Sequence, residues 1–326
     1  MGGLTNFPNG ISSMGIPVAG AANLFGGVWF VGGSNASDGN KGTDTSKSFE
    51  TIAKAISKGK AGDNIILAPG THSVDVSTAA LIPKADMQFI ASIPPFGGKP
   101  NSIVTAAADD GATLVDLDVD GTGWHGIEFL LVAGATTAVD LFDIAQTTAV
   151  NGLVFNDCWF NLNSVDHATA IVRALAVDDG TNATTGMVVK NCRFLGGDAT
   201  TTESEYVVVG VGGIPDALFE GNIFILESID GDALAFRFGD PGAAGGSYAM
   251  TIRNNDFIGP VDGGGDAAPI VFTGAMTEDE IVGMIRTNWF SNCSATPITQ
   301  DEVNNSIVRN YVGDDATGGT LVDPGT

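Results

Sequence analysis

The sequence predicts an all-β chain folded as a solenoid of stacked coils, and three observations carry that prediction. First, a short strand-like phrase with an Asn or another small polar residue ahead of an aromatic returns along the chain. Its copies are Val154-Phe155-Asn156-Asp157-Cys158-Trp159-Phe160, Val188-Val189-Lys190-Asn191-Cys192-Arg193-Phe194, Leu218-Phe219-Glu220-Gly221-Asn222-Ile223-Phe224, Thr251-Ile252-Arg253-Asn254-Asn255-Asp256-Phe257, Met284-Ile285-Arg286-Thr287-Asn288-Trp289-Phe290 and a weaker Ser306-Ile307-Val308-Arg309-Asn310-Tyr311. The aromatics fall at intervals of 34 (160 to 194), 30 (194 to 224), 33 (224 to 257) and 33 (257 to 290), and self-similarity at a fixed period of this size is the mark of a repeat architecture. Second, apolar residues alternate within each phrase. Five positions before the aromatic stand Phe155, Val189, Phe219, Ile252 and Ile285, and seven before stand Leu153, Met187, Ala217, Met250 and Gly283. One side chain in two therefore faces a shared interior. Third, 45 Gly with only 16% charged residues suits short strands and many turns; a helical enzyme uses more Lys, Glu and Leu.

Residues 1–27 form the first element, a Gly/Ala/Pro segment too punctuated for a helix or a central strand. A strand is predicted at Val28 to Val31, followed by a Gly/Asn/Asp/Ser loop over 32–46. Phe49, Ile52, Ala53 and Ile56 then stand at i, i+3, i+4 and i+7, one face of a short amphipathic helix. A Gly62-Asp63 turn, a strand from Asn64 to Leu67 and a Pro69-Gly70 turn complete a unit over 28–75. The remainder, 76–326, holds the coils and a Gly/Asp/Thr tail. Residues 76–135 fit the repeat loosely, with Trp124-His125-Gly126-Ile127-Glu128-Phe129 as a degenerate copy. Second strands fall between the phrases, at 170–177, 206–211, 233–238 and 269–273. No coil buries its apolar side alone, so stacking at ~4.8 Å must close the core. The corner Asn is expected to bond the turn backbone and its own copies in the neighbouring coils.

The segments Trp29-Phe30-Val31, Gly39-Asn40-Lys41-Gly42-Thr43, Phe49 through Ile56, Gly62-Asp63-Asn64-Ile65-Ile66-Leu67 and Pro69-Gly70-Thr71-His72 resemble the N-terminal region of pectin-lyase-like right-handed parallel β-helices. The resemblance implies a solenoid whose N-terminal end is plugged by the helix. It does not imply an activity, because lyases, hydrolases, adhesins and viral fibres share the fold.

Charge narrows the function classes. With 38 acidic and 14 basic residues the formal net charge is −24, which opposes nucleic-acid binding, since phosphate neutralisation needs clustered Lys and Arg. It also opposes an anionic membrane surface and a polyanionic substrate unless a cation intervenes. Residues 1–30 lack the basic start and unbroken apolar core of a signal peptide, and no run approaches the ~20 apolar residues of a membrane span. The expectation is a soluble chain made in the host cytoplasm without a signal peptide. Three Cys without metal spacing read as free thiols behaving as small hydrophobes.

Several constellations bear on chemistry. Lys190, Glu220, Arg253 and Arg286 share the outward slot four before the aromatic and read as a solvated ion-pair ladder, with a catalytic base as the alternative. Asp178-Asp179, Asp140 with Asp143, and Asp157 with Asp166 near His167 are the carboxyl pairs that glycoside hydrolysis would need, although 38 carboxylates produce such pairs by chance. Asp116-Leu117-Asp118-Val119-Asp120-Gly121 is superficially like a Ca²⁺ loop, but no Glu stands at the twelfth position and the alternation favours a strand with an acidic face. His72, His125 and His167 are isolated from one another. No phosphate loop, dinucleotide fingerprint, nucleophile elbow or zinc spacing is present, so no catalytic residue, metal or cofactor is assigned.

The opening Leu4-Thr5-Asn6-Phe7-Pro8-Asn9-Gly10-Ile11-Ser12-Ser13-Met14-Gly15-Ile16-Pro17-Val18 resembles the N-terminal segment of structural proteins of tailed bacteriophages. That resemblance implies a docking arm, with Leu4, Phe7, Pro8, Ile11, Ile16, Pro17 and Val18 against a capsid or other virion protein, and a rigid body projecting from the virion surface. It further implies a non-enzymatic capsid decoration or head fibre, assembled as a homotrimer. A tailspike or tail fibre, a polysaccharide lyase or hydrolase, and a glycan-binding adhesin using Trp159 or Trp289 are the alternatives, all with a host glycan as partner.

Overall fold

A computed structural model describes residues 11–13, 16–19, 26–77, 79–93, 98–106, 113–130, 139–145, 147–162, 172–177, 183–196, 204–210, 213–226, 234–239, 250–259, 269–272, 283–293, 298–299, 305–308, 310–313 and 320–322. Within them the chain is a parallel β-helix of three sheets. The first sheet has ten strands, running from Val28–Val31 through Asn64–Leu67, Gln88–Ala91 and Gly123–His125 to Gly283–Arg286 and Asn305–Val308. The second, also ten-stranded, runs from Gly70–Val74 to Asn310–Gly313 and ends in Thr320–Val322, its single antiparallel member. The third has seven strands, from Val115–Leu117 through Val139–Ile144 and Val172–Val177 to Ile298–Thr299. Each strand pairs in parallel with its counterpart one coil away, as with Phe155 opposite Val189 and Phe160 opposite Phe194.

The corner between the first and second sheets is a two-residue turn that explains the repeated phrase. Its first residue takes the left-handed conformation, at Asp157 (φ 56°), Asn191 (φ 53°), Gly221 (φ 68°), Asn254 (φ 55°) and Thr287 (φ 53°); Asn, Asp and Gly tolerate this region best. Its second residue points inward and is buried: Cys158, Cys192, Asn222, Asn255, Asn288 and Asn310. From Asn222 onward these side chains form a ladder. The backbone N and Nδ2 of Asn222 both donate to Asn255 Oδ1, at 2.9 and 3.0 Å. Asn255 does the same to Asn288, and Asn288 to Asn310. The remaining amide hydrogen of each goes to a carbonyl one coil back, from Asn222 to Val189 and from Asn255 to Phe219. Cys158 and Cys192 fill the same slot earlier in the stack, and their thiols point at the equivalent carbonyls of Trp124 and Phe155 at 3.3 and 3.6 Å.

The core is a set of stacked columns. On the second sheet Phe129, Phe160, Phe194, Phe224, Phe257 and Phe290 lie ring on ring, the centroids 4.6 Å apart between Phe160 and Phe194 and again between Phe194 and Phe224. Such offset stacks add to the burial of each ring. Leu153, Met187, Ala217 and Met250 are buried as the alternation predicts, while Gly283 is half-buried. All three cysteines are free, two buried and Cys293 partly so.

The N-terminal end is closed by a helix at Ile52–Lys58, which buries Ile52, Ala55 and Ile56. The expected face is thereby corrected: Ala53 is exposed, and Phe49 precedes the helix. Thr51 starts the helix instead, its Oγ1 accepting from Lys54 N at 3.1 Å. Asp38 fixes the approach by accepting from Glu50 N, Thr51 N and Thr51 Oγ1. Phe49 is still core, bridged to Val31 and stacked on Trp29. Within the arm, Ile11–Ser13 and Ile16–Ala19 pair antiparallel as a separate two-stranded sheet, a regular pairing that the punctuated sequence did not lead us to expect. Leu4, Phe7 and Pro8 lie outside the described residues. Among those described, no helix is long and apolar enough to cross a membrane.

Candidate functional site

In a β-helix the chemistry available to a partner lies in outward columns, because the inward ones are packed. Among the described residues, the outward face of each of the three sheets carries polar groups.

On the first sheet, Lys190, Glu220, Arg253 and Arg286 stand in register one coil apart. Lys190 Nζ lies 2.8 Å from Glu220 Oε2 and Arg253 Nη2 lies 2.7 Å from Glu220 Oε1. The hydrogen bond from Lys190, aided by the nearby Arg253 charge, holds the Glu220 carboxyl below the usual carboxylate range. Both cations are engaged by one carboxylate, so the column is the solvated ladder that the spacing predicts. Earlier in the same column His125 sits beside Gln88, with Nε2 3.1 Å from Oε1. The Gln88 side chain crosses directly over Gly123, where a Cβ would lie 2.0 Å from its Oε1. Burial pushes the His125 pKa down, with Asp157 opposing.

On the second sheet the column reads Glu128, Trp159, Arg193, Ile223, Asp256, Trp289. The Arg193 guanidinium lies 5.0 Å from the Trp159 ring centroid, and Trp289 is 42% exposed. Both indoles face outward, as their shared slot predicts. Glu128 is fully buried despite its outward position; its Oε1 is 3.0 Å from both Lys99 Nζ and Asn161 Nδ2. No local pattern announces this ion pair, because Lys99 lies in a loop of another coil.

The third sheet holds the arrangement with most chemical potential. Asp116 and Asp143 are register partners on adjacent parallel strands, which places their backbones ~4.8 Å apart with both side chains outward. Burial, followed by the charge of Asp118, raises the Asp116 pKa above its usual range. Three residues earlier on the same strand, Asp140 is clamped by Arg173 of the next coil, with Nε to Oδ1 at 2.6 Å and Nη2 to Oδ2 at 3.1 Å.

This geometry regroups the carboxylates that the sequence suggested. Asp140 belongs with Arg173 rather than with Asp143, since the two acids point to different register partners. The Asp-x-Asp-x-Asp run is not a cation loop: Asp118 accepts from Thr147 N at 3.0 Å and Asp120 from Asn151 N at 2.7 Å, each fixing the turn of the next coil. Asp157 takes the left-handed corner and accepts from Asn156 Nδ2 at 2.7 Å; Asp166, His167, Asp178 and Asp179 lie outside the described residues. His72 bonds Ala68 O at 2.9 Å in the wall of the helix. The pair Asp116–Asp143 was legible in principle, because Val115-Asp116-Leu117 and Phe142-Asp143-Ile144 are the same apolar-Asp-apolar phrase in successive coils. Among the described residues no group of three or more His, Cys, Asp or Glu could hold a metal ion.

No protein-family model and no curated protein sequence matches the chain. Among solved structures it is similar to the pectin methylesterase from Aspergillus niger, with a TM-score of 0.52 and 13% identity over 91% of this chain and 92% of that one. A rhamnogalacturonan lyase is similar at a TM-score of 0.50 and 16% identity, over 81% and 68%. The chain is a right-handed parallel β-helix of the pectin-lyase-like fold. A protein of Geobacillus virus E2, ORF18, aligns over 77% of this chain and 53% of that one at 10% identity, but its TM-score of 0.30 carries no argument. Likeness at these identities shows the fold alone.

Proposed function

We propose that the chain is a non-enzymatic structural component of a tailed-phage particle: a capsid decoration or head-fibre protein. In this reading the β-helix is a rigid homotrimeric body on the virion surface. It is held through the arm by Leu4, Phe7, Pro8, Ile11, Ile16, Pro17 and Val18 against a capsid or other virion protein. The observation that carries it is the separate pairing of Ile11–Ser13 with Ile16–Ala19, which joins none of the three solenoid sheets. A two-stranded hairpin is marginal by itself, so an element of this kind suits docking on a neighbour. The likeness of residues 4–18 to phage structural proteins supports the same reading, as do outward cations already neutralised within the column. Deleting residues 2–18 is expected to leave a folded β-helix by circular dichroism and to abolish its incorporation into purified particles. Absence of the intact chain from particles, or collapse of the fold on truncation, would reject the docking role.

A second reading is favoured by one specific observation, the Asp116–Asp143 register pair, with the Arg173–Asp140 clamp three residues away on the same sheet. Glycoside cleavage uses two carboxyls on one face, which register partners on adjacent coils supply, and the two similar folds above are enzymes named for pectin and for rhamnogalacturonan. The chain would then act on a host glycan as a tailspike, or as a free hydrolase or lyase. Depolymerisation of host capsule or pectic glycan that is lost in Asp116→Asn and in Asp143→Asn would establish this reading. No release of reducing ends by the unmodified protein, with and without Ca²⁺, would reject it.

A further inference from the structure

Two outward columns of the second sheet share a symmetry that neither reading uses. The first reads Trp159, Arg193, Ile223, Asp256 and Trp289 at successive coils, and the second, two residues further along each strand, reads Asn161, Leu195, Ile225, Ile258 and Ser291. Both are palindromes in chemical type about the strand Ile223–Ile225. One coil to either side of it stand a cation and an anion in the first column and two aliphatics in the second. Two coils to either side stand two indoles in the first and two small polar residues in the second. The face is also apolar for an outward one: Leu195, Ile223, Ile225 and Ile258 are half-buried there, and Trp289 is 42% exposed. A contiguous apolar stretch on an outward face marks a contact surface. Arg193 lies over the Trp159 ring, and neither Arg193 nor Asp256 is in an ion pair among the described residues.

We propose that this face pairs with the same face of a second copy of the chain, about a twofold axis running along the strand Ile223–Ile225. Such an axis keeps the strand direction and reverses the order of the coils, so each column meets itself inverted. Ile223 and Ile225 then meet their own copies, and Arg193 of each chain meets Asp256 of the other. Leu195 meets Ile258, Trp159 meets Trp289, and Asn161 meets Ser291. An isologous contact demands this reciprocity, residue i on j and j on i. Pairing with the coils in the same order sets Arg193 against Arg193 and Asp256 against Asp256, and like charges across an interface suppress that arrangement. The strip is about 20 Å long with about 7 Å between its columns at ordinary strand spacings. It falls short of the roughly 1,200–2,000 Å² that a stable interface buries, so the pair is weak and reversible. The inference does not rest on the particle reading: bodies projecting side by side from one particle point the same way, so this contact belongs to the chain free in solution.

Ile223→Cys tests the axis, because only a residue on it meets its own copy. Under mild oxidation the full-length variant is expected to form a disulfide-linked dimer on non-reducing gels. Val28→Cys, placed at a similarly exposed site on the first sheet (43% exposed), is not expected to do so, and the unmodified chain measures any background from its own three thiols. Charge exchange tests the pairing by sedimentation at high protein concentration. R193D and D256R each set like charges across the axis and are expected to weaken association several-fold, whereas R193D/D256R restores opposite charges and is expected to recover it, all with unchanged circular dichroism. Single exchanges that leave association unchanged would overturn the inference, as would a folded double exchange that compounds their losses. A chain that stays monomeric at every concentration, with no cross-link through Ile223→Cys, would overturn it as well. Monomers that still dock on particles would sink this inference and leave the particle reading standing; dimers absent from particles would do the reverse.

Discussion

Asparagine at the inner corner position gains what no apolar residue of its size provides. Its Oδ1 accepts from two donors of the preceding coil while its Nδ2 satisfies a carbonyl and the next Asn, so a buried turn carries no orphan group. Replacing Asn255 by Ala strands both donors of Asn222 and the Phe219 carbonyl in the core. Each unsatisfied buried group costs about 1–3 kcal/mol, so Asn255→Ala is expected to cost about 3–5 kcal/mol by urea denaturation. The adjacent corner residue obeys a different rule. Thr287 is β-branched and sits at φ 53°, a region where Asn is far better tolerated. Thr287→Asn, which copies Asn254, is expected to stabilise by roughly 0.5–1 kcal/mol; a loss of stability would mean that the hydroxyl bond from Thr287 to Asn254, at 2.6 Å, outweighs the strain. Protonation provides a third residue-scale test. Burial lowers the pKa of both His72 and His125 below the ordinary 6.5. Neutral imidazole is thus favoured by folding, and this contribution is complete above pH 6.5 and is lost as pH falls from 6.5 toward the folded values. The melting temperature is expected to fall between pH 7.5 and 5.5, and His72→Gln to flatten that slope.

At the scale of elements, what could be read in the sequence depended on whether a residue's role is local. The strands at Val28–Val31 and Asn64–Leu67, the inner corner ladder and the outward Lys190–Glu220–Arg253 column all follow from alternation plus period, because stacking repeats one local environment many times. The capping helix was legible in outline only. Four apolar positions at helical spacing fit equally well with Phe49 inside the helix or ahead of it, and the Asp38 carboxylate that holds the Thr51 cap comes from an earlier loop. The Asp116–Asp143 pair escaped because the early coils depart from the aromatic phrase on which the later ones align. Glu128 with Lys99 escaped for lack of any local signature. Elements with broken local rules remain: Thr122 Oγ1 and Thr184 Oγ1 are buried without a partner among the described residues. Val matches Thr in shape and deletes the unsatisfied hydroxyl, so Thr122→Val and Thr184→Val are each expected to raise stability by about 1 kcal/mol. Destabilisation instead would point to a bound water at that hydroxyl.

The whole molecule behaves as a one-dimensional stack, since each strand pairs only with its counterparts one coil away. Stability in such a stack is a sum of coil and nearest-interface terms, so the position of a lesion along the axis decides its effect. Phe194 is sandwiched between Phe160 and Phe224 at 4.6 Å on each side. Phe290, by contrast, stacks on Phe257 at 4.7 Å, and its next register partner is Val312. The intrinsic loss on Phe→Ala is about 3–5 kcal/mol at either site, but the consequences differ. A gap at Phe194 weakens two aromatic interfaces in the middle of the rod and is expected to lower global stability, uncoupling the coils on either side. The same gap at Phe290 lets the last coils open while the rest persists. Hydrogen exchange followed by mass spectrometry distinguishes the cases: Phe194→Ala should accelerate exchange across coils on both sides of residue 194, and Phe290→Ala only beyond about residue 283. Uniform acceleration in both variants would show that the rod unfolds as one cooperative unit, the mechanical property that a rigid projecting body most requires.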